Sequence, residues 1–258
     1  MSSRPGFLDA ENAIAFDDEG VARAYGFRPA YPPTMFDALA GLIVGPRVVL
    51  DAGAGTGAIA RYLVPHVERI DALDPAAAMI AAGKRLEHGD DPRIRWIIGG
   101  AETAPLFGPY GLITTGQSLH GMDWEVVLPR FARELAPGAL LAIVDDPEVP
   151  EPWYQEIRPI IARYSVMRAW HQFALIPELE RLGLFEREGR LDMEPLPVRQ
   201  SVDEYIESFH GRSSLARHRI GQAAADAFDR EMRAVLGDRT AVERQIAGRI
   251  VYGRPVAA

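Results

Sequence analysis

Val48-Val49-Leu50-Asp51-Ala52-Gly53-Ala54-Gly55-Thr56-Gly57 is the stretch whose reading decides the fold. An apolar, β-branched run stops at Asp51, three glycines at alternate positions turn the chain, and a helical pattern follows near Ala58–Val64. A short run of that composition bounded by turn residues has the signature of a buried strand. Glycine permits positive φ and puts no Cβ between the backbone and a ligand. In an open α/β sheet such a turn lies at the carboxyl end of its strand, where ligands bind. The same turn also serves as a bare βα connection, so its surroundings must decide.

Upstream, residues 1–31 are irregular and lead into Arg28-Pro29-Ala30-Tyr31-Pro32-Pro33, with Thr34 placed to cap a helix over Met35–Leu42. Downstream, strands are predicted over Glu68–Leu73, Arg93–Ile98, Gly111–Thr115 and Ala139–Val144. Helices over Ala76–Leu86 and Glu125–Leu135 separate them, the second closed by Pro137-Gly138. That alternation implies parallel βαβ units. Past Asp146 the pattern changes. Residues 147–182 read as mainly helical, with Trp153, Tyr154, Tyr164, Trp170 and Phe173 spaced as core contacts, some of them lining a pocket. A sixth strand over Phe185–Met193, helix over 201–236 and a last strand over Glu243–Tyr252 complete the chain. The expectation is an α/β doubly wound, mostly parallel seven-stranded sheet in one domain spanning 1–258. It divides into an arm (1–34), a ligand-binding core (35–146), and helical insertions with closing antiparallel strands (147–258).

Composition narrows the function. The chain has 28 basic and 36 acidic side chains, a net charge of −8, which argues against gripping nucleic-acid phosphates. There is no cysteine and no H-E-x-x-H among the six histidines, so no metal site is expected. No apolar run reaches signal-peptide or membrane-span length, so the expectation is a cytoplasmic protein with no membrane partner. Nothing in the sequence sets an oligomeric state.

Two ligands suit the glycine loop. Gly53, Gly55 and Ala58 satisfy G-x-G-x-x-A, with Asp74 near the spacing of a ribose-binding acid, as in NAD(P)-dependent oxidoreductases. Against that, Asp51–Gly57, D-A-G-A-G-T-G, closely resembles the first motif of class I methyltransferases. Phe131–Leu141 resembles the helix–turn–strand that these enzymes carry before strand five, and the closing antiparallel pair is similar too. Residues 16–31 resemble the arm of small-molecule methyltransferases related to the trans-aconitate type. Leu73-Asp74-Pro75 with Met79 resembles the second motif, and Gly100-Ala101-Glu102 with Pro105-Leu106 the third. Gln117-Ser118-Leu119-His120 with Trp124 resembles the stretch after strand four. The resemblance implies a Rossmann-like methyltransferase fold, S-adenosylmethionine as cofactor, and methyl transfer to oxygen, nitrogen or carbon of a small-molecule acceptor. A non-catalytic S-adenosylmethionine-binding protein on the same fold is the further alternative. A nucleic-acid methyltransferase is disfavoured by the charge and by Thr114-Thr115-Gly116-Gln117, which has no N-P-P-Y character.

The resemblance also assigns roles. Asp74, followed by Pro75, accepts the ribose hydroxyls, caps the next helix, or does both. Asp51 bonds loop amides, meets the cofactor's ammonium group or braces the turn. Gly53, Ala54 and Gly55 let the methionine part approach, and Met79 belongs to the second motif. Many relatives carry an acid for the adenine where this chain has Gly100, so Glu102 or backbone near Ala101 must serve. Gly116 and Gln117 border the methyl group. His120 is the candidate base, with packing or positioning of the acceptor as the plainer role. Tyr25, Arg28 and Tyr31 in the arm close over the site. Arg212, Arg217, His218 and Arg219 lie close to Asp203, Glu204 and Glu207 and are expected on a solvated helix face.

Overall fold

In the computed structural model, which describes residues 15–147, 149–167 and 174–256, the decisive strand runs Val48–Ala52 (β1) and is buried over its last four residues. A strand covered on both faces needs no polar alternation, which is why its sequence is a continuous apolar run. β2 (Arg69–Asp74) and β4 (Leu112–Gly116) flank it, and β3 (Ile94–Ile98) and β5 (Leu141–Asp145) extend the parallel sheet outward. β6 (Phe185–Ser201) and β7 (Ala241–Pro255) close it in antiparallel sense, giving the order β3-β2-β1-β4-β5-β7-β6. The expected seven-stranded, mostly parallel, doubly wound sheet is therefore present. Its order reverses between β1 and β4, the crevice where such sheets bind ligands.

The helices, in chain order, begin with α1 (Glu19–Tyr25), α2 (Pro33–Leu42), α3 (Ala60–Leu63) and α4 (Ala77–Gly83). They continue with α5 (Trp124–Glu134), α6 (Tyr154–Tyr164), α7 (Leu175–Arg181), α8 (Val202–His210), α9 (Arg217–Ile220) and α10 (Gln222–Leu236). On one face of the sheet, Met35, Phe36 and Leu39 of α2 pack with Leu63 of α3 against Val49, Ile70 and Ala72. On the other, Trp124, Leu128 and Phe131 of α5 and Leu179 of α7 pack against Leu50, Leu73 and Ile113. A third apolar cluster joins α6, α8 and α10 through Ile157, Tyr205, Phe209, Phe228 and Met232. Its rings meet edge-on or tilted, with Tyr205–Phe209 centroids 5.2 Å apart and Phe209–Phe228 5.8 Å. Such pairs add about 0.5–1.5 kcal/mol beyond their buried area.

The closing hairpin is longer than its sequence suggests. Asp145, the last residue of β5, pairs with Arg249, so residues 241–248 of β7 continue past the carboxyl edge of the sheet, paired with residues 193–201 of β6. Pro195 and Pro197 argue against a strand there, yet β6 is the outer strand, where a missing N–H need cost no ladder bond. A register shift between Met193 and Leu196 absorbs the irregularity.

Three other expectations are corrected. Thr34 does not cap α2; the helix starts at Pro33, whose fixed φ suits a first helical position, and makes no side-chain cap bond. The single helical stretch expected over 201–236 is three helices, interrupted around Gly211 and at Gly221. Within 147–182 the described helices are α6 and α7 alone. Trp153 is a core side chain and Tyr164 packs edge-on against Phe228, whereas Trp170 and Phe173 lie outside the described residues. Among the described residues no helix is long and apolar enough to cross a membrane.

Candidate functional site

The turn after β1 is held by its neighbours. Gly53 N and Ala54 N donate to Leu73 O at 2.8 and 2.9 Å, fastening the turn to the end of β2. Gly53 and Gly55 have φ of +72° and +57°, the left-handed region that favours glycine. Gly55 N donates to Asp74 Oδ2 at 2.7 Å, and Ala76 N donates to Asp74 Oδ1 at 2.8 Å. One carboxylate therefore ties the glycine turn to the start of the next helix. Burial pushes the Asp74 carboxyl above its usual range.

Asp51 sits behind the turn. Its Oδ1 accepts from Thr114 Oγ1 at 2.8 Å and its Oδ2 from Ala60 N at 3.2 Å, and burial pushes its carboxyl up to about 7. These two bonds brace β1 against β4 and α3. Ala54 is likewise part of the core. Neither residue lines the cavity described next.

A cavity of about 1950 Å³ covers the carboxyl edge of the sheet. All other residues singled out as cofactor-binding or catalytic line it: Tyr25, Arg28, Gly53, Gly55, Asp74, Pro75, Met79, Ala101, Glu102, Gly116, Gln117 and His120. The ends of β1 and β2 supply Gly53, Gly55 and Asp74, and the end of β4 supplies Gly116 and Gln117. Above the edge, α6, α8 and the hairpin extension contribute Tyr154, Ile157, Tyr205 and Arg244.

Glu102 lies beside Gly100. Its Oε2 lies 3.0 Å from where a Cβ on Gly100 would stand, and its Oε1 accepts from Asp123 N at 3.0 Å. Gln117 adopts φ +55°, uncommon for a side-chain-bearing residue, and its Nε2 donates to both Asp145 and Asp146. His120 stands in a 3-10 turn, Leu119–Gly121, where burial lowers the imidazole below its usual value.

The arm closes over these groups through specific contacts. Asp18 caps α1 by accepting from Val21 N at 3.0 Å. Asp17 Oδ1 accepts from Ala78 N at 3.0 Å, and Ala22 packs with Ala76 and Met79. Arg28 stacks over Tyr25 at 4.9 Å and donates to Asp146 Oδ2 at 3.2 Å, while Gln200 Nε2 donates to Phe27 O at 2.6 Å. Burial pushes the Tyr31 hydroxyl well above its ordinary value.

The basic cluster divides. Arg217 donates to Glu207 and Asp229 at 2.6 and 3.0 Å, His218 lies 3.6 Å from Asp18, and Arg219 donates to Ser213 O at 3.0 Å. Arg212 departs from the expected solvated face: it stacks over Phe209 at 4.6 Å and lines the cavity. Sequence reasoning missed Asp145, Asp146 and Arg244. The first two had a signal, an acidic pair ending an apolar strand on the ligand-binding edge. Arg244 had none, because its place depends on the hairpin overshoot. Among the described residues no group of three or more His, Asp or Glu is placed to hold a metal ion.

Residues 49–138 match the sequence family described as a methyltransferase domain. Uncharacterized methyltransferases of Mycobacterium tuberculosis and Mycobacterium bovis are 33% identical over 138 residues, 53% of this chain and 54% of theirs. The matched stretch thus spans about half the length of those relatives. A solved structure from Anaeromyxobacter dehalogenans, provisionally assigned as a type II methyltransferase, superposes with a TM-score of 0.61 at 22% identity, covering 90% of this chain and 99% of that one. The YcgJ protein of Bacillus subtilis gives 0.53 at 14% identity, covering 87% and 99%. The strand order and the glycine turn tied to Asp74 agree with the family match: residues 49–138 resemble a methyltransferase domain, set in a chain with the fold of those methyltransferase structures.

Proposed function

We propose that this chain transfers a methyl group from S-adenosylmethionine to oxygen, nitrogen or carbon of a small-molecule acceptor. One observation carries the reading: Asp74, clamped between the amides of Gly55 and Ala76, faces a cavity of about 1950 Å³. Single-ligand sites typically occupy about 300–1,000 Å³. The volume therefore suits two molecules side by side, a cofactor and an acceptor.

The residues fit the cofactor. A carboxylate offers about four acceptor positions, of which Asp74 uses two on backbone amides, so two remain for ribose hydroxyls. Glu102 and the backbone of Ala101 face the adenine, with Glu102 reaching over Gly100. The left-handed glycines let the methionine portion lie against bare backbone. When bound, S-adenosylmethionine supplies a methyl group on a sulfonium, a good leaving group. Alignment of the acceptor then provides most of the rate, since well-oriented groups reach effective molarities of about 10⁵–10⁸ M. His120, held neutral near pH 7 by its burial, accepts the proton that an acceptor hydroxyl or amine releases. Tyr25, Arg28 and Tyr31 exclude water from the cofactor side.

Calorimetric titration with S-adenosylhomocysteine and NAD in parallel tests this reading. S-adenosylhomocysteine should bind and NAD should not. Asp74→Ala should weaken the first by about 1.5–3 kcal/mol, the worth of hydrogen bonds to a charged group. Binding of NAD alone overturns the methyl-transfer reading. A binding constant unchanged by Asp74→Ala reduces that residue to a brace.

A further inference from the structure

The strand order dictates how a ligand held by Asp74 must run. Ala101 and Glu102 follow β3, Asp74 ends β2, and the glycine turn leaves β1. With the adenine beside Glu102 and the ribose on Asp74, the sulfur comes next, over the crevice between β1 and β4. The two strand ends are close there. A Cβ on Gly53 would stand 2.3 Å from Ser118 Cβ.

Tyr31 of the arm reaches that crevice. Its hydroxyl oxygen lies 3.4 Å from where a Cβ on Gly116, the last residue of β4, would stand, and its side chain lines the cavity. Two neighbours at this strand end already bond within the protein. Ser118 Oγ donates to Ala52 O at 2.7 Å, and Gln117 Nε2 donates to Asp145 and Asp146. The Tyr31 hydroxyl has no hydrogen-bond partner among the described residues. Its ring is nonetheless well held. Tyr31 precedes Pro32, which restricts its backbone to extended conformations, and the ring packs against the cluster that contains Met35, Phe36 and Ile59. Arg28 stacks over Tyr25 and pairs with Asp146, tying the arm down three residues earlier. Burial pushes the hydroxyl well above its ordinary value, so it stays protonated. It is a neutral dipole whose oxygen can turn toward a positive charge.

We propose that the Tyr31 hydroxyl oxygen faces the sulfonium and its methyl group, and that it raises the chain's affinity for S-adenosylmethionine relative to S-adenosylhomocysteine. The inference rests on the methyl-transfer reading, which supplies the cofactor. S-adenosylhomocysteine has the same adenosine and amino-acid parts but a neutral sulfur without the methyl. The contact is therefore made with the cofactor and is lost with the product, so Tyr31 favours exchange of one for the other.

The test is calorimetric titration of the full chain and of its Tyr31→Phe variant with three ligands. They are S-adenosylmethionine, S-adenosylhomocysteine and sinefungin, which carries an ammonium where the sulfonium methyl would be. Tyr31→Phe removes an oxygen with no protein partner and keeps the packed ring, so the variant should fold as the parent does. Its affinity for sinefungin should fall about ten- to a hundredfold, the worth of a hydrogen bond to a charged group. Its affinity for S-adenosylmethionine, whose methyl offers only weak C–H donors, should fall about two- to fivefold. Its affinity for S-adenosylhomocysteine should be that of the parent. Equal losses for all three ligands overturn the inference and make Tyr31 a packing side chain of the arm, with the methyl-transfer reading intact. An affinity for sinefungin unchanged by the substitution overturns it too. Failure of all three ligands to bind the parent overturns the methyl-transfer reading itself, and this inference with it.

Discussion

His120 and Asp74 show what single residues disclose in a sequence. Asp74 was legible because strand end, acid and proline fall in order, and the structure gives it two amide partners in a small volume. His120 was legible by type and by its place after β4, and burial then lowers its pKa, so it is ready to accept a proton at neutral pH. His120→Ala should slow turnover by about 10²–10⁴-fold if the imidazole is the base. Its affinity for S-adenosylhomocysteine should be nearly intact. The parent's rate should rise with pH below the ordinary histidine value, as the lowered pKa requires, and the variant's should be flat. A loss below about tenfold, confined to the acceptor's apparent affinity, makes His120 a positioning group. Glu102 was legible only as a substitute for a missing acid, and its reach over Gly100 is a matter of side-chain path that no motif encodes. Asp51 was legible from the motif, but its bonds to Thr114 and Ala60 depend on how β4 and α3 pack around it.

Elements with local periodicity were the most legible. The five parallel strands carry their own apolar runs, and the helices between them their own periodicity and breaks. The hairpin extension was not legible, because tolerance of Pro195 and Pro197 depends on β6 having no outer neighbour, a fact of sheet order. The arm was legible as an arm, but its fastening was not. α8 ends against α1 so closely that a Cβ on Gly211 would lie 2.8 Å from the Tyr25 backbone. Gly211→Val must therefore push α1 away from α8, and overpacking of this kind costs about 1–3 kcal/mol. Hydrogen exchange should report faster exchange of the amides in 19–25 with the sheet strands unaffected, and S-adenosylhomocysteine affinity should fall. Unaltered protection of α1 would mean that the arm is held by its other contacts, those of Asp17, Ala22, Arg28 and Gln200.

Across the whole molecule, two buried carboxylates, Asp51 and Asp74, lie at the carboxyl edge, and both have carboxyls raised chiefly by burial. For Asp51 the folded value is about 7 and the ordinary one 3.8, so between them the folded chain holds a proton that the unfolded chain releases. Its contribution to stability is complete below about pH 4 and is lost as pH rises toward 7. His120 acts with the opposite sign, so comparison with Asp51→Asn isolates the carboxyl. From pH 5 to 7 the stability of the parent should fall relative to Asp51→Asn, by at most about 1.4 kcal/mol per pH unit. Parallel stability curves would show that Asp51 is ionised in the folded chain. The proposed function makes one demand of the architecture: a cofactor on the β1–β2 side of a cavity whose remaining space belongs to the acceptor. A crystal structure of the S-adenosylhomocysteine complex measures this directly. The ribose should lie against the Asp74 carboxylate, the adenine beside Glu102, and the sulfur toward Gln117 and His120. A ligand seated among Tyr205, Arg212 and Arg244, with Asp74 untouched, would contradict the account.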